Sequence, residues 1–201
     1  MITLPPPLLK GKISLEEAIL QRHSAREYLS LPLNLQQVSQ LLWAAQGITE
    51  KESNRRAAPS AGATYPLEIY VVSGEVEGLA PGVYKYYPST HSLALHLSGD
   101  KRRSLSKAAL NQRWVSEAPA ALLISAVYAR TTFRYGKRGI RYVDMEAGHA
   151  AENLSLQCIS LGLGSVVVGA FDDEKVKEVL NLPGEEEPLY ILPVGKVSAI
   201  S

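Results

Sequence analysis

Arg22, His23, Ser24 and Arg26 fall within five positions of the stretch QRHSAREYLS, in a chain whose net charge is only +1. Two guanidiniums four residues apart, with a hydroxyl between them, form a donor set for a phosphate monoester. The planar forks take phosphate oxygens and the hydroxyl fills a third position. If the preceding helix carries both arginines to its end, they share one face there. A solvated basic helix end is the competing reading, and the stretch taken alone favours it. Three further segments shift the balance. PSAGATYP (residues 59–66) offers small residues and backbone donors where a flat ligand can approach closely. VVVGAF (166–171) offers an apolar strand end opening into a small-residue turn. PVGK ends on Lys196, a further cation for the phosphate. A phosphate clamp, a close-approach loop and an apolar wall are together the needs of a flavin mononucleotide.

Other chemistries find less support. In GLGSVVVG, Gly162 and Gly164 follow a helix and precede a strand. A dinucleotide fingerprint needs the reverse order, and its third glycine position here holds Val167. A helix cap feeding a buried strand explains these glycines. His23, His91, His96 and His149 have no metal-ligand spacing, and His149 is expected as a packed histidine inside a helix. No nucleophile elbow is present.

These residues need elements to hold them. Ser14 with Glu17, and Asn34 with Gln37, have the form of capping boxes, opening helices that end near Arg22 and at Gly47. Residues 49–66 read as irregular. Strands are expected at 67–73, 83–87, 93–97, 120–128, 165–169 and 189–197, and further helices at 100–110, 141–161 and 172–182. The run at 120–128 is apolar at almost every position, as in a strand buried on both faces. A hairpin around PSTHS makes a purely parallel sheet untenable. The class is α+β, in a single domain over 1–201, with Pro5, Pro6 and Pro7 in an extended arm (1–12) before the fold begins. With 201 residues, 46% of them hydrophobic, the chain can bury a core without staples. The single cysteine, Cys158, fits a reducing compartment and a cytoplasmic location. The charge balance gives no footprint for nucleic acid, and no apolar run suffices to span a bilayer.

RHSAREY, PSAGATYPLEIYVV, EAGHAAENLSLQCISLGLGSVVVGAF and PVGK together resemble the nitroreductase superfamily of FMN flavoproteins, from Leu15 to Lys196. The second and third are most similar to its SagB-type branch, which includes dehydrogenases oxidising thiazolines and oxazolines to azoles. The resemblance implies a mainly antiparallel sheet wrapped by helices, in an intertwined homodimer with FMN at the interface. It implies that Arg22, His23, Ser24 and Arg26 hold the phosphate and ribityl chain, with Lys196 near the phosphate. It gives Pro59, Ser60, Ala61 and Gly62 to the neighbouring subunit's flavin. Asn111, seven residues before Ala118, has the spacing of the family's flavin-contacting asparagine, with Gln112 a second candidate. Val167, Val168, Gly169 and Ala170 match the segment lining the isoalloxazine. Azole-forming members carry a lysine–tyrosine pair whose nearest match here is Arg134–Tyr135. Tyr135 is thus the candidate catalytic residue, and an always-protonated arginine replaces the lysine. The implied activity is hydride transfer through the flavin, with NAD(P)H as donor and a nitroaromatic, quinone or similar small molecule as acceptor. The alternatives are an azoline-to-azole dehydrogenase acting on a modified peptide beside a cyclodehydratase partner, a non-enzymatic flavin-binding module, and a flavin-fragmenting relative.

Overall fold

The computed structural model describes residues 1–198. Its first third holds β1 (Ile2–Thr3), α1 (Leu15–Gln21), β2 (Leu33–Asn34), α2 (Leu35–Gln46), β3 (Ile48–Glu50), β4 (Arg55–Arg56) and a 3-10 turn at Ala61–Ala63. The middle holds β5 (Leu67–Ser73), β6 (Val76–Glu77), β7 (Gly82–Tyr87), β8 (Ser92–Ser98), α3 (Arg102–Ala108), α4 (Arg113–Glu117) and β9 (Ala120–Ala126). The last third holds α5 (Ala129–Tyr135), α6 (Arg138–Ser160), β10 (Leu163–Ser165), α7 (Asp173–Leu180) and β11 (Glu187–Lys196). Both capping boxes form: Ser14 and Asn34 accept from the third helical amide, and Glu17 and Gln37 reach back to the cap.

A seven-stranded antiparallel sheet, in the order β1-β8-β7-β5-β9-β11-β10, divides the core. On β9, Ala120, Leu122, Ile124 and Ala126 face α2 and α6, while Ala121 and Leu123 pack with Leu105, Val176 and Leu180 of α3 and α7. Helices on both faces explain why this strand is uniformly apolar rather than alternating. One buried polar knot ties four strands together. Glu186, just before β11, accepts from Tyr70 of β5 (3.0 Å), Lys85 of β7 (2.8 Å) and Ser125 of β9 (2.7 Å). Lys85 also pairs with Glu68 at 3.1 Å.

Several expectations are corrected. The irregular segment 49–66 contains the small β3–β4 ribbon and the 3-10 turn. The helix expected at 141–161 starts at Arg138 and is preceded by α5. The strand expected at 165–169 stops at Ser165, leaving Val168 as an isolated bridge to Ile191. The N-terminal arm belongs to the fold: β1 pairs with β8, Ser39 donates to the Pro5 carbonyl (2.6 Å) and Leu8 N–H donates to Gln40 (2.7 Å). His149 is exposed rather than packed.

Candidate functional site

The stretch 22–29 owes its position to what stops α1. Arg22 is the cap residue, already extended at φ −62°, ψ 121°. The shared helix-end face expected for Arg22 and Arg26 therefore does not form. The chain instead runs along the end of the sheet. Ser24 bridges Ser165 in parallel fashion, Ala25 N–H donates to the Ser165 carbonyl (2.9 Å), and Leu29 N–H donates to the Lys196 carbonyl (2.8 Å). Two glycines make room. A Cβ on Gly164 would lie 2.6 Å from that of buried Ala25, and one on Gly195 would lie 2.9 Å from the Tyr28 ring. The Tyr28 hydroxyl donates to the Ala25 carbonyl (2.8 Å), and burial pushes its pKa well above the usual phenol value.

This backbone leaves Arg22, His23, Ser24 and Arg26 exposed around a buried Ala25. Arg22 lies 3.7 Å from Glu152 of α6. His23 is held by Nδ1 at 2.8 Å from the Gln21 carbonyl. Arg26 places its guanidinium 5.5 Å from the centre of the Trp114 ring on α4. Among the described residues, Arg26 and Lys196 have no carboxylate within ion-pair distance.

The next two segments meet the same face. Leu110 and Asn111 turn the chain at φ 56° and 60°. Gln112 then donates through Nε2 to the Ala170 carbonyl (2.7 Å), joining 111–112 to 167–170. Val168 is buried and exchanges two 2.9 Å backbone bonds with Ile191, while Val167, Gly169 and Ala170 are exposed. Trp114, which sequence reasoning missed, links this segment to Arg26, and its Nε1 is a buried donor without a partner. Its position two residues after Gln112 was the available signal.

Pro59, Ser60, Ala61 and Gly62 are placed apart from this cluster, against α5 and α6. Ser60 Oγ accepts from Tyr65 N–H (2.9 Å), and Arg134 donates to the Gly62 carbonyl (3.1 Å). A Cβ on Gly62 would lie 2.5 Å from the Tyr135 hydroxyl, so only glycine allows that approach. Tyr135 stacks edge-on against Tyr142 at 5.2 Å. Ala63 and Tyr65 hold left-handed backbone, at φ 54° and 46°, a conformation that costs a non-glycine residue about 1–2 kcal/mol. Glu146 of α6, also missed, is only 2% exposed among Val143, Ala147 and Ala150. A carboxylate on a helix's apolar stripe was legible in EAGHAAEN. Burial pushes its pKa up to about 7, against the pull of the Ser60 hydroxyl and Arg56. Leu42 of α2 is fully buried in this chain's own core.

Among the described residues, no group of three or more His, Cys, Asp or Glu side chains is placed to hold a metal ion, and no helix is long and apolar enough to cross a membrane. A model described as the nitroreductase family matches residues 19–196. A nitroreductase-named protein of Methanocaldococcus jannaschii is 49% identical over 185 residues, 92% of each chain. The microcin B17-processing protein McbC of Escherichia coli is 29% identical over 182 residues, 83% of this chain and 63% of McbC. The crystal structure of a nitroreductase-named protein from Ralstonia eutropha superposes with a TM-score of 0.86 at 33% identity, covering 99% of this chain and 90% of that one.

Proposed function

The chain belongs to the nitroreductase family, and from that premise we propose that it is an FMN-dependent oxidoreductase working as a homodimer. The observation that carries this reading is the convergence of Arg22–Arg26, Asn111–Gln112, Val167–Ala170 and Lys196 on one end of the sheet, linked through Ser165, Trp114 and Ala170. The donor chemistry fits the cofactor. Arg26 and Lys196 carry charge without a carboxylate partner, as a phosphate dianion requires. The backbone of Val167–Ala170 and the Asn111–Gln112 turn offer polar edges beside an apolar surface, as a flavin ring requires.

Bound flavin would accept a hydride from one molecule and pass it to another. The protein's own work is then to bind and orient. Arg22, Ser24, Arg26 and Lys196 hold the phosphate, and His23 flanks the ribityl chain. Asn111 or Gln112 and residues 167–170 hold the ring. Pro59–Gly62 covers the partner's flavin, bringing Tyr135 to the substrate side. NAD(P)H is the proposed donor, and a nitroaromatic, quinone or similar small molecule the acceptor. No protein acid or base is required for that cycle.

McbC favours a second reading, azoline oxidation on a peptide beside a modifying partner. Arg134 weighs against it: the side chain stays protonated and is committed to the Gly62 carbonyl. The test is the absorbance spectrum of purified protein, before and after anaerobic NADH or NADPH. Yellow colour that bleaches is expected. Colour that persists with both nucleotides would move the assignment to the second reading or to a binding module, and colourless, well-folded protein would refute both flavin readings. Sedimentation is expected to give a dimer, and a stable monomer that retains FMN would refute the shared site.

A further inference from the structure

The stretch FRYGKRGIRY (residues 133–142) holds Arg134, Lys137, Arg138 and Arg141 and no acidic residue. All four cations are exposed. Among the described residues, none of them has a carboxylate within ion-pair distance. The first acidic residue of α6, Asp144, is taken by the Tyr128 hydroxyl (2.6 Å). The stretch is firmly built. Gly136 turns the chain between α5 and α6 at φ 55°, ψ −146°, and a Cβ on Gly139 would lie 2.9 Å from the Thr132 backbone, so the two helices meet there without room for a side chain. From that joint the side chains form a ladder. The Arg134 guanidinium donates to the Gly62 carbonyl (3.1 Å) and lies 5.5 Å from the centre of the Tyr135 ring. Tyr135 meets Tyr142 edge-on at 5.2 Å, and the Arg138 guanidinium lies 5.7 Å from the Tyr142 ring. Cation, ring, ring and cation thus follow one another away from the loop at Gly62. The neighbouring Phe133 is 96% exposed.

A solvated basic surface is the competing reading, and two features weigh against it. Lys137, Arg138 and Arg141 are like charges at helical spacing, at the positive end of the α6 dipole, so together they cost the fold stability. The guanidiniums also lie over rings, which aims them at a planar anion instead of leaving them loose in water. We propose that this ladder recognises the acceptor, and that the acceptor is an aromatic molecule carrying a carboxylate, sulfonate or phosphate group. The rings receive its apolar face. Arg138, with Arg141 one turn further on, receives its charge, while Arg134 stays tied to the loop. The proposal rests on the reading that Pro59–Gly62 and Tyr135 face the partner's flavin, so one arm of its test needs no turnover.

The probes are 4-nitrobenzoate and its neutral methyl ester, which share a ring and a nitro group and differ in charge. Equilibrium dialysis against the purified protein gives binding, and NADH-dependent reduction gives kcat/KM. The acid should be favoured over the ester about 10-fold in both, because two exposed arginine contacts contribute about 3- to 5-fold each. Arg138→Gln and Arg141→Gln should each lower the acid-to-ester ratio by about 3- to 5-fold. Arg138→Lys keeps the charge and should lower it less. An unfolded fraction weakens both probes alike and leaves the ratio where it was. Raising salt from about 50 mM to about 500 mM should bring the parent's ratio toward one. A ratio near one in the parent at low salt, or one that neither glutamine variant lowers, would overturn the proposal and leave the flavin reading standing. A loss confined to the KM for NADH would give the ladder to the donor's pyrophosphate and overturn the proposal too. Acid-selective binding by well-folded protein that retains no flavin would keep the ladder and overturn the flavin reading beneath it.

Discussion

Replacing Arg26 with alanine separates ligand binding from folding, because the backbone of its stretch is held without it. The Ala25 and Leu29 amides end on the Ser165 and Lys196 carbonyls, and Tyr28 packs on Gly195. None of these contacts involves an arginine side chain. What Arg26 contributes to the apo fold is its place over Trp114 at 5.5 Å, worth about 0.5–1 kcal/mol at an exposed position. Arg22 contributes less. Its pairing with Glu152 is 3.7 Å long, with side chains 39% and 54% exposed, which places it in the range of about 0–1 kcal/mol. For a chain of this size either loss lowers Tm by about 2–4 °C at most. Toward the proposed phosphate the same guanidiniums would each make a charge-assisted hydrogen bond worth roughly 1.5–3 kcal/mol. FMN affinity should therefore fall about 10- to 100-fold for each of Arg22→Ala and Arg26→Ala. Arg103→Ala, on an exposed position of α3, should change neither quantity. The assay is flavin fluorescence titration beside apo melting curves. If both site variants bind FMN like the parent, the phosphate-clamp reasoning is wrong and the stretch is a basic surface.

Further expectations follow from the packing. Gly164→Val would drive a side chain into Ala25, displacing the stretch: chemical denaturation should show a loss of about 1–3 kcal/mol, accompanied by loss of flavin. Lys85→Met leaves the buried Glu186 carboxylate with hydroxyl donors alone, and urea melts should show about 3 kcal/mol of destabilisation. Glu146 has a folded pKa raised from 4.5 to about 7, so the protein binds the extra proton when folded and loses stability as pH rises through that window. At about 1.4 kcal/mol per unit the loss reaches at most about 3.5 kcal/mol; Glu146→Gln should thus be more stable than the parent at pH 8, with the difference vanishing near pH 4.5. The Cys158 thiol, fully buried with its pKa pushed up to about 12, should stay inert to a thiol reagent until the protein unfolds.

The parts of the fold written in local chemistry were legible. Ser14 and Asn34 announced their helices because a cap is a contact between residues three apart. The apolar run of β9 announced burial on both faces, since no alternating strand has that composition. What local patterns could not supply was partnership. That 22–29 runs extended beside β10 depends on Ser165, more than a hundred residues away, so a helix-end geometry was the natural local inference. Likewise the strand signal in VVVGAF was genuine in β-branched content, yet only Val168 finds a backbone partner. Trp114 and Glu146 each carried a local signal, but it takes Arg26 near the one and the Ser60 hydroxyl near the other to set them apart from their helices.

The long helix α6 acts as a ruler. Glu152 meets Arg22 of the 22–29 stretch, and Glu146, six residues earlier, sits beneath the loop at Ser60. At 1.5 Å per residue these marks stand about 9 Å apart along the axis. Both are read from one rigid rod, so the spacing between the Arg22 stretch and the Ser60 loop is written in residue count rather than in loop conformation. One residue inserted between the marks would turn one against the other by about 100° while leaving the helix intact. A change in the length of a surface loop leaves that spacing alone, whereas a residue added or removed between 146 and 152 resets it.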